Sequence, residues 1–184
     1  MPAEFAGISK DLYTSALWNY PILFFLLKIA LSLNRYNEKI VNLVKTWSLY
    51  VCSSIPFYNI NKLYLALSLE YINKAINSPS IYQYVQTLLY SIDFEELQKE
   101  IDPKIMNINE GWFFVAFLLK EAENTFKEYT IRDVFVRNRK KIINKYLELY
   151  NGYVDGSSNK IAANLIHGIS GVIVMKVLYP EVFE

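Results

Sequence analysis

The chain is poor in the residues that make reactive centres. Its 184 residues contain one cysteine, Cys52, and one histidine, His167. A lone cysteine makes no intramolecular disulfide and no thiolate cluster, and one imidazole with one thiol cannot build a first-row metal site. Cys52 follows Leu49, Tyr50 and Val51 and reads as a small buried hydrophobe. The glycine-rich phosphate loops, the GxSxG elbow and the HExxH helix are all missing, and a carboxylate-bridged di-iron bundle needs ExxH pairs, whereas Asn164 stands three residues before His167. His167 reads as an interior, hydrogen-bonded histidine rather than a general base. No enzymatic activity, cofactor or metal is expected.

An excess of charge of either sign is missing as well, with 19 Lys and Arg against 18 Asp and Glu. Formal net charge is +1, so no global field draws in nucleic acid or an anionic membrane, and such a contact has to be a local patch. Long apolar runs fall short of a bilayer. Pro21 to Leu33 is broken by Lys28 and Ser32, and Ile161 to Leu178 by Asn164, His167, Ser170 and Lys176, whereas a spanning helix needs about 20 mostly apolar residues. Both runs read as covered core helices. The start, MPAEFAGISK, has neither the basic region nor the cleavage site of a secretory signal, so a cytoplasmic protein is expected.

What the chain has is apolar surface arranged at the helical period. Apolar residues make up 53%, including 15 Tyr and 11 Phe, ample to offset the entropy of ordering one domain over residues 1–184. Alternating strand patterns are scarce. The spacing predicts an all-α, compact single-domain bundle of eight or nine helices, largely antiparallel neighbours. The expected helices are Ile8 to Trp18; Pro21 to Leu33; Glu38 to Ser53, with Ile40, Leu43, Val44, Trp47 and Val51 inward; and one from Asn59 or Asn61 to Asn77-Ser78-Pro79. Then come Ser80 to Ile92, a short acidic helix capped by Asp93 with Glu96, Asn109 to Tyr129, the basic helix, and a last helix capped by Ser157 or Ser158. In that last helix Gly168 and Gly171 leave a strip for close packing.

The basic helix, Thr130 to Tyr150, carries the functional signal. Ile131, Phe135, Ile142, Tyr146 and Leu149 form an apolar stripe widened by Ile143, Leu147 and Tyr150, while Arg137, Lys140, Lys141, Asn144, Lys145 and Glu148 share the other side. Thr130 with Asp133 resembles a capping box, and Asn151-Gly152 supplies a left-handed stop. Arg137, Arg139, Lys140 and Lys141, with Arg132 and Lys145 nearby, suit a phosphate backbone, and Tyr129, Tyr146, Tyr150 and Tyr153 suit base stacking. The competing reading pairs these cations with the acidic stretch Asp93 to Glu110. Glu121, Glu123 and Glu128 read as a solvated face.

Two families share short stretches with this chain. Pro21-Ile22-Leu23-Phe24-Phe25 and Leu31-Ser32-Leu33, with Asn151-Gly152-Tyr153-Val154 and the helix bearing Ile161, Leu165, Ile166, Ile169 and Ile173, resemble the helical N-terminal domain of the archaeal primase large subunit. That resemblance implies a non-catalytic partner that positions template and primer; the single cysteine excludes the iron-sulfur domain of full-length members. Asn109-Glu110-Gly111 followed by Ala116-Phe117-Leu118-Leu119-Lys120 is similar to the small helical subunits of type III CRISPR effector complexes, which implies a filament subunit holding guide and target backbones. Both imply a non-enzymatic helical subunit with protein partners and a basic surface for DNA or RNA. The alternative is a protein-interaction module with no nucleic-acid role.

Overall fold

The computed structural model describes residues 29, 32–33, 37–52, 55–101, 111–127, 130–154 and 169–184. These are helical, with no strand among them. Seven α-helices follow in order: α1 (Glu38–Val51), α2 (Asn59–Ile76), α3 (Pro79–Tyr90), α4 (Phe94–Lys99), α5 (Gly111–Thr125), α6 (Arg132–Val154) and α7 (Ile169–Leu178), then a 3-10 turn, Pro180–Val182. Contacts group the chain into two compact units, one of Met1–Phe57 with Tyr64–Ser91, the other of Tyr58–Leu63 with Ile92–Glu184. The expected helix Ile8 to Trp18, His167, and the caps Ser157 and Ser158 lie outside the described residues, as do Tyr129, Glu128 and Gly168.

In the first unit α1 packs on α3. Asn37 starts α1 by accepting the backbone N–H of Lys39 at 3.1 Å, which supplies one of the donors a helix start leaves unpaired. Val44 is buried as expected, and beside it Ser48 is buried too, its hydroxyl donating to the Val44 carbonyl at 2.8 Å. Leu43, expected inward, is exposed; Val44 and Ser48, four apart, define the covered line, and Leu43 lies off it. Cys52 is half-buried, and desolvation pushes its thiol up to about 12, which leaves little thiolate near neutral pH. Helix α2, which belongs to this unit from Tyr64 on, buries Leu65, Ala66, Leu69 and Ile72 there, a wider surface than one stripe. Tyr71, on the same helix, is exposed. Of the Pro21 to Leu33 run, the described Ile29 and Leu33 are also exposed, against the expectation of a covered helix.

The α2–α3 junction falls where Asn77-Ser78-Pro79 predicts. Asn77 turns left-handed at φ 54°, its N–H bonds the Asn73 carbonyl, and the Asn73 side chain accepts the Ser78 N–H at 2.8 Å. Pro79 then opens α3, where its missing N–H costs nothing. A β-carbon in the left-handed region costs about 1–2 kcal/mol, less for asparagine. Asn77→Ala is therefore expected to lower unfolding free energy by about 1 kcal/mol, with Asn77→Gly at or above the parent. Urea titration of the three proteins checks this, and equal midpoints for alanine and glycine contradict it.

In the second unit two helix starts are tied together. The Glu100 carboxylate, at the end of α4, accepts the Asn59 and Ile60 N–H groups at 2.8 and 3.0 Å and the Asn59 amide at 2.8 Å. Asn59 is thus the first helical residue rather than the cap, and the capping acceptor comes from 41 residues away. The Asn59 side-chain oxygen in turn accepts the Asp93 N–H at 3.0 Å, and Asp93 caps α4 by accepting from Glu95 and Glu96. Those backbone bonds, from Glu96 first, hold the Asp93 carboxyl below its ordinary range. Only half of the expected capping box forms, because the Asp93 N–H is already taken by Asn59, and Glu96 pairs with Lys99 instead.

Helices α5 and α6 are the principal pair of this unit. They run past each other as a hairpin. Phe126, just after α5, meets Phe135 near the start of α6, and Phe113 and Tyr146 at the other end share the ring of Phe183. Gly111 opens α5 at φ 81°, a conformation glycine enters without a β-carbon clash. The bulk of the apolar run at 112–119, WFFVAFLL, is inward: Trp112, Phe113, Val115, Ala116, Leu118 and Leu119 are all buried.

Candidate nucleic-acid interface

Helix α6 presents the two faces its sequence predicts. Ile131, Phe135, Ile142, Ile143 and Tyr146 are buried, whereas Arg132, Arg137, Lys140, Lys141, Asn144 and Lys145 are exposed. The helix starts slightly later than expected: the Ile131 carbonyl accepts the first helical N–H, from Phe135, so Thr130 precedes the cap position. Asp133 lies in the first turn, where the helix dipole favours a carboxylate. The far end also differs. Asn151-Gly152 does not stop α6, which continues to Val154. A glycine ends a helix only where the chain turns left-handed; kept right-handed it costs about 1 kcal/mol and the helix goes on.

The six cations read from sequence separate into three groups. Arg137, Lys140 and Lys141 are exposed, and no acid among the described residues forms an ion pair with them. Arg132 and Lys145 are exposed beside acids, Arg132 at 4.0 Å from Glu123 and Lys145 at 3.7 Å from Glu148. Arg139 is different, being 3% exposed. Its Nη2 donates to Glu123 at 3.2 Å and its Nη1 to the Val182 carbonyl at 2.8 Å, with the Glu181 carbonyl at 3.4 Å. Grouping it with the outward cations is corrected by this burial: on a helix, position 139 falls between Ile143 and Tyr146, on the apolar side.

Glu123 is the group sequence reasoning missed. Read as solvated, it is buried on α5 and gathers Lys120 at 3.2 Å, Arg139 at 3.2 Å and Arg132 at 4.0 Å. Burial pushes its carboxyl up, but the hydrogen bond and charge of Lys120, with Arg139, outweigh that and leave it below the ordinary carboxylate value. The available signal was the heptad gap between Phe135 and Ile142, which places Asn138 and Arg139 on the apolar stripe and so requires partners for both. Asn138 is indeed buried, donating to the Val134 carbonyl at 2.8 Å and accepting from Gln98 of α4 at 3.3 Å. The described part of the acidic stretch, Asp93 to Ile101, forms no ion pair with α6.

Tyr146, a candidate for base stacking, is buried edge-on to Phe183 at 6.3 Å. Phe183 also stacks on Phe113 at 5.6 Å and lies under the Lys176 ammonium at 5.4 Å, so the turn after α7 is fastened to the α5–α6 pair by an aromatic ring and by Arg139. Helix α7 itself was expected to be covered. Ile173, Val174, Val177 and Leu178 are instead exposed, the last two at 76% and 62%. Hydropathy alone does not distinguish a covered helix from one that presents its apolar side chains outward.

Among the described residues no helix is long and apolar enough to cross a membrane, and no group of three or more His, Cys, Asp or Glu is placed to hold a metal ion. Comparison of the chain with protein-family models, curated proteins and solved structures finds no match.

Proposed function

We propose that this chain is a non-catalytic helical subunit of a nucleic-acid-handling assembly, and that Arg137, Lys140 and Lys141 on α6 contact the phosphate backbone. The observation that carries this reading is the trio of exposed cations, within five residues of one rigid helix and without an acid partner among the described residues. Unneutralised cations so arranged recruit counterions, and a phosphodiester displaces them with a gain in entropy. Arg139 serves the ridge from beneath by anchoring α6 to α5 and the 3-10 turn. Arg132 and Lys145 stand at its margins, each beside a carboxylate. The reading takes the whole chain as one helical body of eight or nine helices working with other protein subunits in the cytoplasm. The resemblances to the primase large subunit and the type III CRISPR small subunit agree with it in kind.

Charge reversal tests it. Arg137→Glu, Lys140→Glu and Lys141→Glu combined are expected to weaken binding to DNA or RNA by about a hundredfold or more near physiological salt, measured by fluorescence anisotropy. All three side chains are exposed, so the fold tolerates the change, and circular dichroism verifies it. Unchanged affinity rejects the assignment.

A second reading is favoured by Ile173, Val174, Val177 and Leu178, exposed together on α7. Such side chains suit a protein partner and require no nucleic acid. Light scattering separates the two: self-association without nucleic acid supports the second, and a monomer that shifts only on adding nucleic acid supports the first.

A further inference from the structure

The ridge on α6 is short, and what bounds it determines how a strand can lie across it. Arg137, Lys140 and Lys141 stand at i, i+3 and i+4, the tightest triangle three side chains make on a helix, covering ~6 Å of its axis. Lys140 and Lys141 fall on opposite sides of the line through Arg137. A carboxylate lies beyond each end on exposed helix: Asp133 one turn before Arg137, and Glu148 nearly two turns after Lys141 with Lys145 at 3.7 Å. A polyanion laid lengthwise along α6 would set phosphates against both acids.

We infer that a phosphodiester strand crosses α6 over this triangle, engaging about three phosphates and reading no base. The inference rests on the nucleic-acid function proposed above and specifies the ligand's direction and footprint. A small anion fits the site poorly. Three exposed side chains with no enclosing wall gain about 0–1 kcal/mol each from an ion pair, too little to hold a free phosphate firmly. Linked phosphates make the second and third contacts intramolecular, so that weak contacts add up. The triangle also opposes itself, since like charges at i, i+3 and i+4 repel, and a crossing strand relieves both pairs at once.

The footprint is read from salt dependence. Full-length protein is titrated into a labelled single strand of about 20 nucleotides and into its duplex at several salt concentrations. Three phosphates give a log–log slope of about −2.1 on the single strand and about −2.7 on the duplex, and alanine at Arg137, Lys140 or Lys141 reduces its magnitude by about 0.7 to 0.9 each. Glu148→Gln is expected to change affinity by less than about twofold, because a crossing strand stays clear of it. Tightening of about tenfold in Glu148→Gln, or a slope worth five or more phosphates, overturns the crossing geometry in favour of a lengthwise strand. Strong binding whose slope none of the three alanines alters overturns the ridge assignment while leaving the nucleic-acid function standing. Failure of either nucleic acid to bind removes that function itself, and inorganic tripolyphosphate displacing the strand at near-equimolar concentration overturns the requirement for a polymer.

Discussion

Replacing Arg139 by methionine is expected to lower unfolding free energy by about 2–3 kcal/mol, below the full cost of an orphaned buried charge because Lys120 stays on Glu123. The substitution removes the guanidinium from Glu123 and strips the Val182 carbonyl of its donor. Glu123→Leu alone is expected to cost a similar amount by orphaning the arginine, whose Nε is already buried without a hydrogen-bond partner. The double variant, Glu123→Leu with Arg139→Met, is expected to recover part of the loss, because a buried ion pair exchanged for packed hydrocarbon is often neutral, while Lys120 is still left without its acid. Urea unfolding of the four proteins completes the cycle, and additive losses would show that the two residues act independently.

The pair also sets an acid limb to stability. The Glu123 carboxyl is held below its ordinary value in the folded chain. Its contribution is therefore fully present above the unfolded carboxylate pKa and is lost as pH falls through the lower folded one. In the double variant that component of acid sensitivity is absent.

Phe135→Ala is expected to cost about 3–5 kcal/mol through cavity formation. Its ring is fully buried, at 5.9 Å from Phe94 in an edge-on pair and at 6.1 Å from Phe126. It joins α4, the end of α5 and the start of α6, so losing it loosens three elements rather than one. Phe135→Leu, which retains much of the volume, is expected to cost well under half as much. Equal losses for leucine and alanine would show that ring contacts rather than filled volume hold this junction. Thermal unfolding monitored through the tyrosine and tryptophan near-ultraviolet signal separates the variants.

Where local chemistry decides an element, the sequence was readable. Asn77-Ser78-Pro79, Asp93 ahead of α4, and the stripe of Ile131, Phe135, Ile142 and Tyr146 each act within a turn or two of helix, so pattern and outcome coincide. Where a partner arrives from far along the chain, it was not. Glu100 displaces Asn59 from the capping role, and Glu123 draws Arg139 inward, in both cases because a carboxylate on another helix offers more hydrogen bonds than solvent or a neighbouring side chain. Exposure of Leu43, Val177 and Leu178 was hidden for a related reason: apolar residues announce themselves, but the surface that covers them lies elsewhere in the chain. The candidate interface was legible as a cluster and not as a geometry. Its one inward member, Arg139, was marked only by falling in the gap of a heptad.

The long-range cap on α2 has a consequence for biosynthesis. Asn59 leaves the ribosome 41 residues ahead of Glu100, and at about 5–20 residues per second the capping carboxylate follows about 2–8 s later. During that interval Tyr64 to Ser91 is made, so every residue of the first unit is translated before the carboxylate that caps α2 emerges.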